Sequence, residues 1–168
     1  ARQGRDDDRG KAGEGVSAVP IAQLHYRRMR AADLAEVARL EKALYAFPWS
    51  LGNFRDSVNA GYDCWVVTHG EAVIGYAVLM IALDEAHLLN FAVAAEWQNQ
   101  GIGRAFLDHM VQVARQAGCL IVYLEVRPSN LPARHLYRSA GFQQIAIRPD
   151  YYPAVSGRED ALFLGLTL

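Results

Sequence analysis

The chain has 168 residues, 52% of them apolar, and a formal net charge of −1, which suits one domain with a real core. Charge so near zero argues against broad phosphate-driven binding to nucleic acid. No stretch is apolar enough for long enough to span a bilayer, and nothing at the start reads as a signal peptide, so a cytoplasmic protein is expected.

Residues 1 to about 24 are rich in Gly and charge and poor in large apolar side chains. Such a segment cannot bury enough surface to offset its ordering entropy. A disordered arm or a cloning remnant is expected there, with residues 25–168 forming the domain. Asp33, with Glu36 three residues on, resembles a capping box. Leu34, Val37, Ala38, Leu44 and Tyr45 then recur at helical spacing, and Pro48 ends that helix. Ser50 is placed to cap a short second helix running to about Asn59, stopped by Gly61. The run WVVTHGEAVIGYAVLMI predicts two strands around a His69-Gly70 turn, and HLLNFAV a third after Asp84-Glu85.

Beyond Val93 the pattern changes. AAEWQNQGIG leads into a helix with Phe106, Leu107, Met110, Val111, Ala114 and Ala117 on one face and Gly118 just past its end. The strand LIVYLEV follows at once, so strand, helix and strand form a parallel crossover. Asn130 is placed to cap a further short helix, with Pro132 in its first turn and Gly141 at its end. FQQIAI and ALFLGL predict the last two strands. The fold class expected is α/β: a mixed sheet, antiparallel first with one parallel crossover later, flanked by helices. Cys64 and Cys119 lie in apolar runs and are expected to be buried thiols, and the five histidines lack ligand-like spacing, so no metal is expected.

The segment Gln98-Asn99-Gln100-Gly101-Ile102-Gly103 lies between a strand and a helix N-terminus. Such a turn aims backbone N–H groups one way, the helix dipole adds positive potential, and glycines clear room for a pyrophosphate. It also reads as a plain connection with turn glycines. A partial match to the dinucleotide fingerprint places Phe106 at the third glycine and Glu125 about twenty residues on, near a ribose-binding acid. Against that reading, AAEWQNQ separates strand from turn, and the chain after Glu125 is too short for a second half of such a fold.

Gln98-x-x-Gly101-x-Gly103 resembles the acetyl-CoA signature of the GNAT superfamily. FPWS at 47–50, DEAHLLNFAV at 84–93, LEVRPSN at 124–130 and DYYPAVSGREDA at 150–161 are similar, within it, to the RimI-type ribosomal-protein-alanine N-acetyltransferases. The likeness covers residues 26–168. It implies the GNAT acyl-CoA N-acyltransferase fold, with a central, mostly antiparallel sheet, and transfer of an acetyl group from acetyl-CoA to the N-terminal alanine of a small-subunit ribosomal protein. Phe91, Ala92 and Val93 would then offer strand backbone to the pantetheine arm. Asn99, Gln100, Gly101, Ile102, Gly103 and Arg104 would hold the pyrophosphate through their N–H groups, and Asn130 would bind near the thiol end. Glu125 matches the family's general base and Tyr137 its general acid.

The chemistry asks for such groups. An α-amine with a pKa of about 7.7–8.0 is mostly protonated at neutral pH and must lose a proton to attack a thioester. Glu125, at the end of an apolar strand, is a fitting acceptor, although a strand-end Glu also reads as a partner for Arg127. Tyr137 offers an O–H to the departing thiolate, although it also reads as a core aromatic. Phe47, Trp49, Tyr151 and Tyr152 are candidates for the peptide's walls, or caps on the core, and Glu85 and Asp150 for attracting a basic peptide. Acetylation of small amines and non-catalytic CoA binding are the competing functions; intact Glu125 and Tyr137 favour an enzyme.

Overall fold

The computed structural model describes residues 20–168; residues 1–19 of the expected arm lie outside the described residues. Among the described residues seven strands form one sheet: β1 (Leu24–Arg28), β2 (Asp63–His69), β3 (Ala72–Ala82), β4 (Glu85–Val93), β5 (Ile121–Val126), β6 (Gln143–Pro153) and β7 (Arg158–Thr167). Their order across the sheet is β1-β2-β3-β4-β5-β7-β6. Every neighbouring pair is antiparallel except β4 with β5. Four helices flank it: α1 (Leu34–Leu44), α2 (Leu51–Asn59), α3 (Ile102–Gln116) and α4 (Leu131–Ser139).

Alternation along the strands sorts side chains onto two faces. Val67, Ala77 and Leu79 pack with Ile102, Phe106, Leu107 and Met110 of α3 and with Tyr137 of α4. Val66, Tyr76 and Val78 turn the other way, onto Leu34, Val37 and Leu40 of α1 and Phe54 of α2. Both faces of the central strand are therefore covered, and Ile74–Leu79 are all buried, a continuous apolar run rather than an alternating one.

β4 carries the decisive irregularity. Leu79 pairs with Leu88 but Val78 with Asn90, so Leu89 is an extra residue, a bulge. Before it, Ala86 and Leu88 face α3; after it, Ala92 faces the α1 side while Phe91 and Val93 face α3. Pairing with β5 stops at the same place, at Leu88 with Leu124. From Leu89 onward no strand among the described residues covers that edge of β4, and the sheet is split between β4 and β5.

Several expectations on local structure change. β1 carries no clear apolar pattern, since only Leu24 of its five residues is buried, and the sequence reading passed over it. Asp33 does not cap α1: its carboxylate instead takes the Arg30 N–H at 2.7 Å and the Arg27 guanidinium at 2.7 and 2.8 Å, which holds its carboxyl below the usual range. Glu36 pairs with Arg39. α1 stops at Leu44, before Pro48, and on α3 it is Val113 rather than Ala117 that joins the buried face. β6 and β7 also run longer than FQQIAI and ALFLGL, to Pro153 and from Arg158, so most of the DYYPAVSGRED stretch is strand; the other elements fall where expected. Ser50 Oγ accepts the Asn53 N–H at 3.1 Å, Asn130 Oδ1 accepts that of Ala133 at 3.2 Å, and both cysteines are buried and free.

Beside the split, the chain closes up tightly at Gly75. A Cβ there would lie 2.7 Å from the Ala92 carbonyl oxygen and 2.8 Å from Val67 Cγ1. The first obstacle is backbone, so it cannot rotate away. Gly75→Ala is expected to destabilise the protein by about 1–3 kcal/mol, read as a lowered midpoint in urea at unchanged slope. A midpoint equal to wild type would mean that β3 and β4 separate at no cost.

Candidate active site

The split in the sheet brings four chain segments to one place. On one side stands the uncovered end of β4, Phe91, Ala92 and Val93. The Gln98 side chain ties this end down, donating Nε2–H to the Val93 carbonyl at 2.8 Å. Phe91 is anchored by its ring against Phe106, with centroids 5.2 Å apart. Tyr45, just past α1, reaches the Phe91 carbonyl with its hydroxyl at 3.5 Å. That hydroxyl is turned inward even though 37% of the residue is exposed. Burial, with the Glu41 charge nearby, pushes it up to about 12.

Below the split lies the start of α3. Asn99 and Gly101 both have positive φ, 60° and 80°, and these two left-handed residues swing the chain into the helix. Gly101 is the N-cap and supplies no side-chain bond. The first bond in from the cap is Ala105 N–H to the Gly101 carbonyl at 3.1 Å, so the N–H groups of Ile102, Gly103 and Arg104 have no partner within the helix. The side chains around them are committed elsewhere. Gln100 donates to the Glu96 carbonyl at 3.1 Å, and Arg104 bonds Asp108 at 3.0 Å and the Ser139 carbonyl at 2.9 Å. What the turn presents is backbone N–H under a helix dipole, next to a glycine, an arrangement suited to phosphate oxygens.

Across the split, Glu125 stands one residue before the end of β5 with its side chain 7% exposed. Its Oε2 is 2.5 Å from His87 Nε2. Arg148 Nε approaches Oε1 at 3.2 Å, an ion-pair distance, but without hydrogen-bond alignment, so Oε1 is a buried oxygen with no donor. Arg127, the partner a sequence reading offers, instead bonds Glu159 Oε2 at 3.1 Å. Tyr137 of α4 is buried at 7% exposure, edge-on to Phe142 at 5.7 Å. Burial, with Tyr45 and Tyr152 close by, raises its phenol far above the usual range, and at neutral pH it keeps its proton. Asn130, between Glu125 and Tyr137 in sequence, has its Oδ1 engaged as the cap of α4.

The entrance is built from the α1–α2 connection and the β6–β7 hairpin, joined by Arg127. Its guanidinium lies 4.3 Å from the Tyr152 ring centroid and 5.9 Å from that of Phe47, while Glu159 also takes the Ser129 N–H at 2.9 Å. Tyr151 packs edge-on to Tyr152 at 4.9 Å, and Arg148 lies over Tyr151 at 5.8 Å. Phe47 and Tyr151 are exposed, at 44% and 43%, whereas Trp49 is half-buried against Phe54 at 5.3 Å and serves the core. Asp150 sits at a bulge of β6 with φ 52°, held through its backbone by Asp160 and Arg158. Glu85 does not join this group. It is the first residue of β4 and lies six residues, about 20 Å along the strand, from Phe91.

Two contributors escaped the sequence reading. Glu41 is 3% exposed and takes the Trp49 N–H at 2.9 Å, the Asn90 amide at 3.2 Å and the Tyr76 hydroxyl. It thereby pins the 47–50 segment to β3 and β4. His87 is the other. Their partners lie 8 to 49 residues away, and no local pattern marks them. Among the described residues no group of His, Cys, Asp and Glu is placed to hold a metal ion, and no helix is long and apolar enough to cross a membrane.

Residues 28–142 match the family model described as acetyltransferase (GNAT) family. The chain belongs to the GNAT acetyltransferase family. It is 38% identical over 136 residues, 81% of this chain and 92% of the relative, to the [ribosomal protein bS18]-alanine N-acetyltransferase of Escherichia coli K12. It is 32% identical over 84% of its length to the protein of that name from Haemophilus influenzae, covering 97% of it. Among solved structures, the ribosomal-protein-S18-alanine N-acetyltransferase of Escherichia coli superposes with a TM-score of 0.80 at 36% identity, over 86% of this chain and 93% of that one. The split sheet, mostly antiparallel with one parallel pair, is thus the GNAT fold, and the chain is a GNAT N-acetyltransferase.

Proposed function

We propose that this GNAT enzyme moves an acetyl group from acetyl-CoA to the α-amine of the N-terminal alanine of the small-subunit ribosomal protein bS18, in the cytoplasm. One observation carries the mechanism: the buried, donor-free Oε1 of Glu125 stands across the split from the uncovered edge of β4. The residues fit the donor. The bare N–H groups of Ile102, Gly103 and Arg104, entered through Asn99, Gln100 and Gly101, suit the pyrophosphate. The open edge of Phe91, Ala92 and Val93 suits the amide-bearing pantetheine arm, and Asn130 lies toward its thiol end.

In this reading Glu125 takes the proton of the attacking amine through Oε1. A backbone N–H near Val93 steadies the oxyanion, and the Tyr137 hydroxyl gives its proton to the departing thiolate. Phe47, Tyr151 and Tyr152 wall the peptide, with Trp49 fixing the segment that carries Phe47 and Asp150 at the rim. Glu85 stands too far along β4 for direct contact near the reacting amine.

Mass spectrometry after incubation with acetyl-CoA tests the acceptor. Peptides beginning with the bS18 terminus are expected to gain one acetyl group at the α-amine, while polyamines and aminoglycosides stay unmodified; the reverse outcome overturns the assignment. Tyr137→Phe tests the acid. Turnover is expected to fall by roughly 10²-fold with little change in acetyl-CoA affinity. A large affinity loss would mark the tyrosine as a packing residue.

A further inference from the structure

His87 is the one side chain hydrogen-bonded to Glu125 among the described residues, with Nε2 2.5 Å from Oε2. It lies on β4 before the Leu89 bulge, on the strand face opposite the buried Ala86 and Leu88. Its ring leans on Phe163 of β7, centroids 6.3 Å apart, and its side chain is 23% exposed against 7% for Glu125. A carboxylate on a strand end rotates freely unless one oxygen is held. Here Oε2 is held by a hydrogen bond, while Oε1 has Arg148 at ion-pair distance but no hydrogen-bond donor.

We propose that His87 is the positioning residue of the general base: it donates Nε2–H to Oε2 and turns Oε1 toward the amine. This rests on the reading of Glu125 as the base. A neutral imidazole carrying its proton on Nε2 can orient the carboxylate and leave its charge intact.

Around the pair stand Tyr123, opposite His87 on β5, and Arg148, Tyr151 and Tyr152 of β6. Arg148 pairs with Oε1 at 3.2 Å, and the pKa values of Tyr151 and Tyr152 are raised by burial and by Glu125. Met80, opposite His87 on β3, and Phe163 carry no charge.

Steady-state kinetics of His87→Ala, His87→Gln, Glu125→Gln and the Glu125→Gln/His87→Ala double variant, each across pH, test the proposal. His87→Ala is expected to lower kcat by at least about tenfold with KM for both substrates little changed. His87→Gln, whose amide N–H can serve Oε2, is expected to restore most of kcat. In the Glu125→Gln background, His87→Ala should add no further loss, because it acts only through the base. Wild-type turnover in His87→Ala, or no rescue by His87→Gln, overturns the proposal while leaving Glu125 in place. Wild-type turnover in Glu125→Gln removes the base and this inference together.

Discussion

Glu125→Gln is expected to lower kcat by roughly 10²–10⁴-fold while changing the peptide KM far less. The amide keeps the size of the side chain and an oxygen for His87, so the change isolates the loss of a proton acceptor. A base acts in the transition state, and its loss therefore appears in kcat and kcat/KM alike. The direction with pH follows from the acceptor. As pH rises through about 7.7–8.0 a growing share of α-amine is already neutral, so the variant should recover in part toward pH 9 while wild type levels off. The measurement is a pH series of initial rates at saturating acetyl-CoA. Wild-type turnover at pH 7, or a deficit independent of pH, would place the acceptor elsewhere.

Gly101→Asp is expected to weaken acetyl-CoA binding well over tenfold, at least about 1.4 kcal/mol, by titration calorimetry. Two effects act together. At φ 80° any side chain is strained by about 1–2 kcal/mol, and relief of that strain rotates the N–H groups that open α3. The added carboxylate also sets a negative charge at the helix N-terminus where the pyrophosphate would lie. Crowding is a minor part, since the nearest atom to an added Cβ is Ile21 Cδ1 at 3.7 Å. Gly101→Ala separates the causes: it keeps the strain without the charge and should lose affinity by a smaller factor. A folded Gly101→Asp protein with wild-type affinity would remove phosphate from this turn.

Much of the architecture was legible because its signals are local. The caps Ser50 and Asn130, the turn at His69-Gly70, the helix opened by Gly101 and closed by Gly118, and the parallel crossover all rest on residues within a few positions of each other. β1 was not, because Tyr26 is half-buried by contacts made in space, stacking on Phe106 and His109 at 5.7 and 4.5 Å. Asp33 had two acceptable partners within reach, and the Arg27 ion pair won over the cap. At the site, Glu125 and Tyr137 are proposed through motif likeness, since neither is distinguishable from a strand-end acid or a core aromatic by pattern alone. His87, Glu41 and the role of Arg127 depend on which strands lie side by side, and Glu85 was drawn in by its charge although the strand carries it away from the cleft.

The extra residue at Leu89 divides one strand into two jobs. Ala86 and Leu88, ahead of it, are sealed between β3 and β5 and belong to the interior. Phe91, Ala92 and Val93, behind it, keep one edge free. Substitutions on the two sides of a single residue should therefore be felt by different selections, folding on one and ligand on the other. A lineage can retune the open half for a new acyl donor or acceptor without reopening the packing of the closed half. The bulge itself is the element that such change must leave alone, for without its extra residue the two halves would fall back into one phase and the edge would close.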